Sequence, residues 1–157
     1  MDLRIQKAAS QEFERFWDYS AETVWNDIPE AERRDYDHAE FEQAFRKVAE
    51  PIVRSPQNVL YIAQIGGEFA GYIVIGPSHS PLGGKVYGFI WDLYVAKAFR
   101  RNGVGTALVE TAVRFCREQG YQKVRLETAA HNSTAQALYE KLGFHPERLY
   151  LGKSVEG

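Results

Sequence analysis

An α/β domain, with strands and helices sharing one core, is the fold class that this 157-residue sequence predicts. Three observations predict it. The apolar run Phe89-Ile90-Trp91-Asp92-Leu93-Tyr94-Val95 passes through the hexapeptide Arg100-Arg101-Asn102-Gly103-Val104-Gly105 into an amphipathic segment, which reads as strand, tight loop and helix. Two apolar segments flank Gly66-Gly67, a strong hairpin signal. The chain is long enough for one domain with a real core, has 45% hydrophobic and 25% charged residues, and shows neither repeat nor low-complexity linker.

Residues 3–8 alternate apolar and polar and predict a first strand. Ser10 is placed to cap a helix running to about Val24, with Phe13, Phe16, Trp17 and Val24 at roughly helical spacing. A polar connector with Pro29 follows over 25–35. A second helix is predicted over 38–53, bent or ended near Pro51, because proline lacks an N–H and crowds the preceding turn. Strands over 58–65 and 69–76 form the hairpin arms, and 77–85 is a loop rich in Ser, Gly and Pro. Residues 86–95 predict a strand too apolar at its end to lie at an edge. Residues 106–119 place Leu108, Val109, Ala112, Phe115 and Cys116 on one stripe, with Gly120 as the stop. A strand over 124–128, a helix over 133–142 and short strands near 144–148 and 149–153 complete the prediction.

Bulk properties exclude several classes. A net charge of −2 argues against a general nucleic-acid binder. No apolar stretch reaches the roughly 18 residues of a membrane span. Met1-Asp2-Leu3-Arg4 lacks the basic and apolar regions of a signal peptide. A single cysteine, Cys116, allows no internal disulfide and fits a reducing cytoplasm. The histidines are scattered, and no Cys/His cluster has metal-ligand spacing, so no metal is expected.

The hexapeptide has two readings. A helix N-terminus carries unpaired N–H groups and partial positive charge, so it can hold a phosphate. Gly103 and Gly105 would let the backbone approach the anion, with Arg100 and Arg101 adding charge. A plain strand-to-helix turn fits the same letters. A P-loop would need Lys-Ser/Thr after the last glycine, where Thr106-Ala107 stands, and a dinucleotide fingerprint would need glycine at Leu108.

Downstream lies Asn132-Ser133-Thr134-Ala135-Gln136-Ala137-Leu138-Tyr139-Glu140-Lys141-Leu142-Gly143-Phe144. Arg-x-x-Gly-x-Gly, a helix, a strand, then Asn-x-x-Ala-x-x-Leu-Tyr-x-x-x-Gly-Phe resembles the GNAT superfamily of acetyl-CoA-dependent N-acetyltransferases, and most of all its small diamine- and aminoglycoside-type members. The likeness is specific from Ile90 to Phe144, and the joint spacing of the two motifs carries it. The resemblance implies one domain of the α/β (α+β) class over 1–157, in the order β-α-α-β-β-β-α-β-α-β-β. Its mixed, mostly antiparallel sheet would have about six or seven strands, splayed at the centre and flanked by about four helices.

It also implies acetyl transfer from acetyl-CoA to an amine. The cofactor pyrophosphate would lie on the backbone amides of Arg101, Asn102, Gly103, Val104, Gly105 and Thr106, after Arg100; Arg101 stands where many members have glycine, but its amide is still present. The pantetheine arm would pair like an added strand with the Leu93-Tyr94-Val95 backbone, chiefly Leu93 and Val95, where an N–H can also hold the carbonyl oxygen as it becomes an oxyanion. Tyr139 matches the general acid, and a phenol with a reference pKa near 10 stays protonated at neutral pH. It is equally placed to be a core residue like Leu138 and Leu142. Asn132, about two helical turns earlier, matches a cofactor-contacting residue and can also cap its helix.

The attacking amine must lose a proton, which costs about 4–5 kcal/mol at neutral pH for a lysine-like amine. Asp92 is the first candidate base and Glu127 the second; alternatively, Asp92 bonds nearby backbone, and Glu127 pairs with Arg125 or Lys123. Diamine-type members often carry an acid pair at this point, and Trp91 replaces its first member, which counts against a direct carboxylate base and a polyamine substrate.

In the family the first two helices shape the acceptor pocket. Here 26–42 holds Asp27, Glu30, Glu32, Asp35, Asp37, Glu40 and Glu42 beside Arg33 and Arg34, and Trp17, Trp25, Tyr36, Phe41 and Trp91 are available as walls. An acidic, aromatic rim suits a cationic amine; the same residues fit a solvated surface over an aromatic core. His38, His79, His131 and His145 read as surface or turn residues, and Cys116 as packing. The leading expectation is a cytoplasmic N-acetyltransferase acting on a small-molecule primary amine by direct attack in a ternary complex. A protein N-terminus or lysine is a second acceptor class. A non-catalytic CoA-binding sensor or scaffold, and a nucleotide-binding protein preferring ATP, are readings of other classes. Homodimerisation, common in the family, is an open expectation.

Overall fold

Hydrophobic strands that must be covered on both faces organise this chain. The computed structural model describes residues 1–156, apart from the side chains of Ser10 and Gln11, so the expected Ser10 cap lies outside the described residues. Strands β1 (Leu3–Ala8), β2 (Val59–Ile65), β3 (Glu68–His79) and β4 (Val86–Val95) pair antiparallel in sequence order, and β5 (Val124–Leu126) adds to β4 in parallel. Gly66 and Gly67 turn the β2–β3 hairpin with φ of 58° and 85°, the pair of left-handed residues that a tight hairpin needs.

One face packs on α4 (Val104–Glu118), the crossover that makes β4 and β5 parallel. The predicted stripe of Leu108, Val109, Ala112, Phe115 and Cys116 is buried there against Ala63, Ile73, Ile75 and Ile90. A fully buried side chain such as Leu108 contributes about 1.5–3 kcal/mol. The opposite face is covered by the N-terminal helices. A 3-10 turn (Ser10–Phe16) and α1 (Trp17–Asp27) replace the single helix expected over 10–24. After the short α2 (Glu30–Arg33), α3 (His38–Arg54) starts on Asp37, whose carboxylate accepts from the Glu40 N–H at 3.0 Å. It runs through Pro51 to Arg54. Phe13, Phe16, Trp17 and Val53 bury Leu60, Tyr72 and Val74 from this side. With both faces covered, Tyr72, Ile73, Val74 and Ile75 are all buried, which is why β3 is continuously apolar.

The fold class and the mixed sheet match the sequence expectation; the strand count and the end of the element order do not. The sheet has five strands, not six or seven, and α5 (Ser133–Lys141) is the fifth helix rather than the fourth. Residues 144–148 and 149–153 form no strand. Side chains rather than a backbone ladder fasten this segment: Glu147 pairs with Lys123 and with Arg125, the latter at 3.0 Å. Leu149, Tyr150 and Leu151 are 79%, 94% and 91% exposed, so their apolar character finds no face to bury against.

Strand β4 contains one irregularity. Val74 lies opposite Asp92 and Ile75 opposite Ile90, so Trp91 is an extra residue, a β-bulge. In a regular strand Ile90 and Asp92 would share a face. The bulge leaves Ile90 against α4 and moves Asp92 to the face of its cross-strand partner Val74, beneath the N-terminal helices.

Strand β3 lies close against β4 at Gly71, where a Cβ would meet the Tyr94 carbonyl oxygen and the Leu108 side chain. Gly71→Ala is expected to cost about 2 kcal/mol or more, read as a lower urea midpoint at unchanged slope. Gly83→Ala, where a Cβ meets open space, should change stability by less than about 0.5 kcal/mol.

Candidate active site

The turn from β4 into α4 is built for backbone donors. Lys97–Phe99 make a 3-10 turn, Arg101 adopts φ 65° and Gly103 φ 78°, and α4 begins at Val104. Arg101 is the one non-glycine residue with positive φ among the described residues, a conformation that costs about 1–2 kcal/mol. Among the described residues, no acceptor meets the backbone N–H groups from Arg101 to Thr106; the first N–H to find one is that of Ala107, which bonds the Gly103 carbonyl at 3.0 Å. No side chain caps α4, and its first turn holds no acid. A run of free amides at the positive end of a helix is a site for an anion.

Both glycines of this loop also have a structural reason of their own. Gly105 is small because α4 packs closely: a Cβ there would lie 3.3 Å from Leu138 Cδ2 and 3.6 Å from Val95 Cγ2, so its hydrogen faces α5 and β4. Gly103 supplies the left-handed turn at the helix cap. Arg100 folds back, its Nε donating to the Val95 carbonyl at 3.0 Å, and Asn102 Nδ2 donates to the Arg100 carbonyl at 3.3 Å.

Beside this loop one edge of β4 is open. Strand β5 pairs only from Gly88 to Ile90 of β4, and β4 continues to Val95. The Gly88 N–H bonds the Lys123 carbonyl, whereas past the bulge the Ala96 N–H bonds the Ala70 carbonyl on the other side. Alternation from Ala96 then turns the polar groups of Tyr94 toward β3 and those of Leu93 and Val95 toward the open edge. The Arg100 bond to the Val95 carbonyl agrees with that direction.

Asp92 is held beneath α1. Its Oδ2 accepts from the Tyr72 hydroxyl at 2.7 Å, and the Ser20 hydroxyl is its second partner. Tyr72 and Ser20 are themselves buried. Burial raises the Asp92 carboxyl above its ordinary value, while Ser20, Tyr72 and the Leu93 N–H hold it down. Its structural partners are thus hydroxyls from α1 and β3 more than nearby backbone. Tyr72 in turn is pushed well up by burial and by the facing carboxylate. The Trp91 indole N–H is buried and has no partner among the described residues.

The start of α5 supplies the remaining groups. Asn132 Oδ1 accepts from the Ala135 N–H at 3.1 Å, so the capping role expected of it is present. Tyr139 is half-buried against the α4 core, with its ring 5.7 Å from that of Phe144, so it is a core residue as well as a phenol in the gap. Burial, and then Asp92 and Asp27, push it up to about 12. Asp27, from the end of α1, is raised by burial and held down by the Asn132 side chain and by His131. The structure therefore brings Asp92, Tyr139 and Asn132 together with a carboxylate that motif reading did not single out. Glu127 is exposed just beyond β5, and the partners expected for it, Lys123 and Arg125, are engaged by Glu147. Two shallow surface depressions flank α4 and residues 142–147 on another part of the molecule, and neither includes Asp92, Tyr139 or the free amides.

Tyr72 and Ser20 escaped sequence reasoning, and Asp27 entered it only as one acid of the possible acceptor rim over 26–42. The available signal was faint: Ser20 is a polar residue on the buried side of α1, between Trp17 and Ala21. Nothing local ties Asp27 to a motif beyond a hundred residues away.

Comparison with known proteins accords with this geometry. The model of the Acetyltransferase (GNAT) family matches residues 10–144. The chain belongs to that family. Among curated relatives, N-acetyltransferase family 8 member 3 of Rattus norvegicus is 33% identical over 90 residues, covering 57% of this chain and 40% of that protein. The chain thus spans less than half the length of that relative. A GCN5-related N-acetyltransferase of Ralstonia eutropha shares the fold with a TM-score of 0.76 at 19% identity, covering 99% of both chains. An aminoglycoside acetyltransferase from an uncultured soil metagenomic sample superimposes with a TM-score of 0.66 at 25% identity, covering 99% of this chain and 100% of its own.

Two outcomes test the Asp92 cage. Tyr72→Phe removes a hydrogen bond to a carboxylate and should cost about 2 kcal/mol in urea unfolding. Asp92→Asn tests the direction of its titration. Because the folded carboxyl is raised, its stabilising contribution is full at pH below the unfolded value, about 3.9, and is lost as pH rises through the folded one. Asp92→Asn should therefore unfold at a higher temperature than wild type at pH 7, with the gain vanishing in acid.

Proposed function

We propose that this chain transfers an acetyl group from acetyl-CoA to a primary amine of a small molecule, by direct attack in a ternary complex. The observation that carries the reading is the run of free amides from Arg101 to Thr106 beside the open edge of β4, with α5, the helix that bears Tyr139, packed on the first turn of α4 through Leu138. The residues fit the family's cosubstrate: an anion cradle for the pyrophosphate and strand-edge N–H and C=O groups for a chain of amides. Acetyl-CoA, when bound, supplies the acetyl thioester.

The Arg101–Thr106 amides hold the pyrophosphate, with Arg100 and Arg101 adding charge. Leu93 and Val95 pair with the pantetheine amides, and an N–H of this edge stabilises the charge growing on the carbonyl oxygen. Asp92 receives the amine's proton, directly or through water. Burial that raises its carboxyl makes it a stronger base than a surface aspartate. Tyr139, at about 12, is protonated at neutral pH and donates to the departing sulfur. A thiol titrates near 8.5, so full transfer from this phenol is uphill and its hydrogen bond to sulfur is the larger part of its role. The superimposable aminoglycoside acetyltransferase supports a small-molecule acceptor.

Thermal unfolding with acetyl-CoA, CoA or ATP tests the cradle. Either CoA species at about 100 times its dissociation constant should add about 2.7 kcal/mol, and ATP far less. No shift with either CoA species sinks the reading. With turnover followed by thiol release, Tyr139→Phe should lower kcat by about 100-fold or more and leave CoA affinity within about twofold.

A further inference from the structure

Two side chains without a part in the chemistry just described lie behind Asp92. Tyr72 of β3 is 0% exposed and Ser20 of α1 is 4% exposed, so neither touches a substrate. The Tyr72 hydroxyl donates to Asp92 Oδ2 at 2.7 Å, and the Ser20 hydroxyl meets both Tyr72 and Asp92. Asp92 itself is half-buried. It forms no ion pair among the described residues.

The Tyr72 ring is clamped. Phe16 stacks on it at 5.1 Å and Tyr94 at 5.8 Å, and Phe13 meets it edge-on at 5.5 Å. Packing asks only for that ring, and phenylalanine would supply it. A buried hydroxyl–carboxylate pair adds little stability over apolar groups of the same shape. Yet the bulge at Trp91 carries Asp92 to the face of Tyr72 and away from α4. Burial disfavours a charged carboxylate there, and a hydroxyl donated to it favours the charge. The other titratable groups whose charges couple to Asp92 are Asp27 of α1 and Tyr139 of α5, and neither is a cation. The hydroxyls are therefore what keeps the carboxylate charged.

We infer that Tyr72 is a positioning residue of the proposed reaction: its clamped hydroxyl holds the Asp92 carboxylate charged and in place to take the proton that the attacking amine loses. The inference rests on the acetyltransferase reading, in which Asp92 is the base. In that step an N–H bond of the ammonium breaks and its electron pair stays on nitrogen. The proton, directly or through water, bonds to an Asp92 oxygen and makes it a carboxylic acid, while Tyr72 keeps its own proton.

Two titrations of the same proteins test this. Carboxyl-carbon NMR of the aspartate-labelled chain follows Asp92 directly, its signal identified by its loss in Asp92→Asn. Thiol release from acetyl-CoA with n-butylamine, benzylamine or glycinamide gives the pH profile of kcat. Losing the donor makes the charged form less favourable, so in Tyr72→Phe the Asp92 midpoint should rise by about one pH unit. The acid limb of kcat should move up with it, while KM for acetyl-CoA stays within about twofold. Ser20→Ala, which leaves the ring stack in place, should move both in the same direction. A midpoint that stays put in both variants overturns the assignment. So does a midpoint that moves while the acid limb does not, which would make the bond structural only. Wild type that releases no thiol with any of the three amines refutes the acetyltransferase reading itself, and the inference falls with it; the missing turnover tells that failure from the other two.

Discussion

A single extra residue in β4, Trp91, sets the parity of everything after it. Before it, the strand bonds β5 with the polar groups of Gly88; after it, the same parity turns toward β3, as the Ala96 bond to Ala70 requires. The shift delivers Asp92 to the side of Tyr72 and Ser20 and leaves Leu93 and Val95 with backbone groups on the free edge. If Trp91 were paired regularly instead of bulged, Asp92 would share the α4 face with Ile90, away from Tyr72 and Ser20. Strands tolerate such an insertion where pairing ends or a side chain must be re-aimed, and both occur here. The edge is free because β5 stops at Leu126 while β4 continues to Val95.

The sheet's two faces do different work. The α4 face is a dry aliphatic layer that fixes the helix whose first turn carries the free amides. The opposite face is aromatic and contains the polar inclusion. Phe16 stacks on Phe69 at 4.8 Å and on Tyr72 at 5.1 Å, and Tyr19 stacks on Tyr94 at 4.6 Å. This layer fixes the Tyr72 ring, and the ring fixes the hydroxyl that holds Asp92. A buried carboxylate survives when its lone pairs are met, and two hydroxyls meet them here. Rigid packing thus holds the Asp92 carboxylate in one place.

The site concentrates features that stability alone would not select. Arg101 in the left-handed region and, among the described residues, unmet amides leading into α4 and a Trp91 N–H without a partner each oppose folding. They lie within the segments that bound one gap. Strain and unpaired groups kept together in this way are the mark of a surface prepared for a ligand.

Much of this was legible in the sequence, because local patterns report local physics. The α4 stripe is a helical period, the Gly66-Gly67 turn a steric demand of adjacent residues, and the hexapeptide a helix start that leaves donors free. Motif spacing placed Tyr139 and Asn132 on one helix. The tail over 144–153 also read as short strands, but a strand exists only with a backbone partner, and this segment is tied to Lys123 and Arg125 by the Glu147 side chain instead. Contacts that depend on how distant elements meet were not legible: Tyr72 with Asp92 across 20 positions, and His131 with Asn26 across 105. Periodicity along the chain determined the elements, their order and the family motif. Only the tertiary structure decided that one inserted residue turns Asp92 toward α1 and that α1 ends with Asp27 against α5, because the energy of a buried charge depends on neighbours in space.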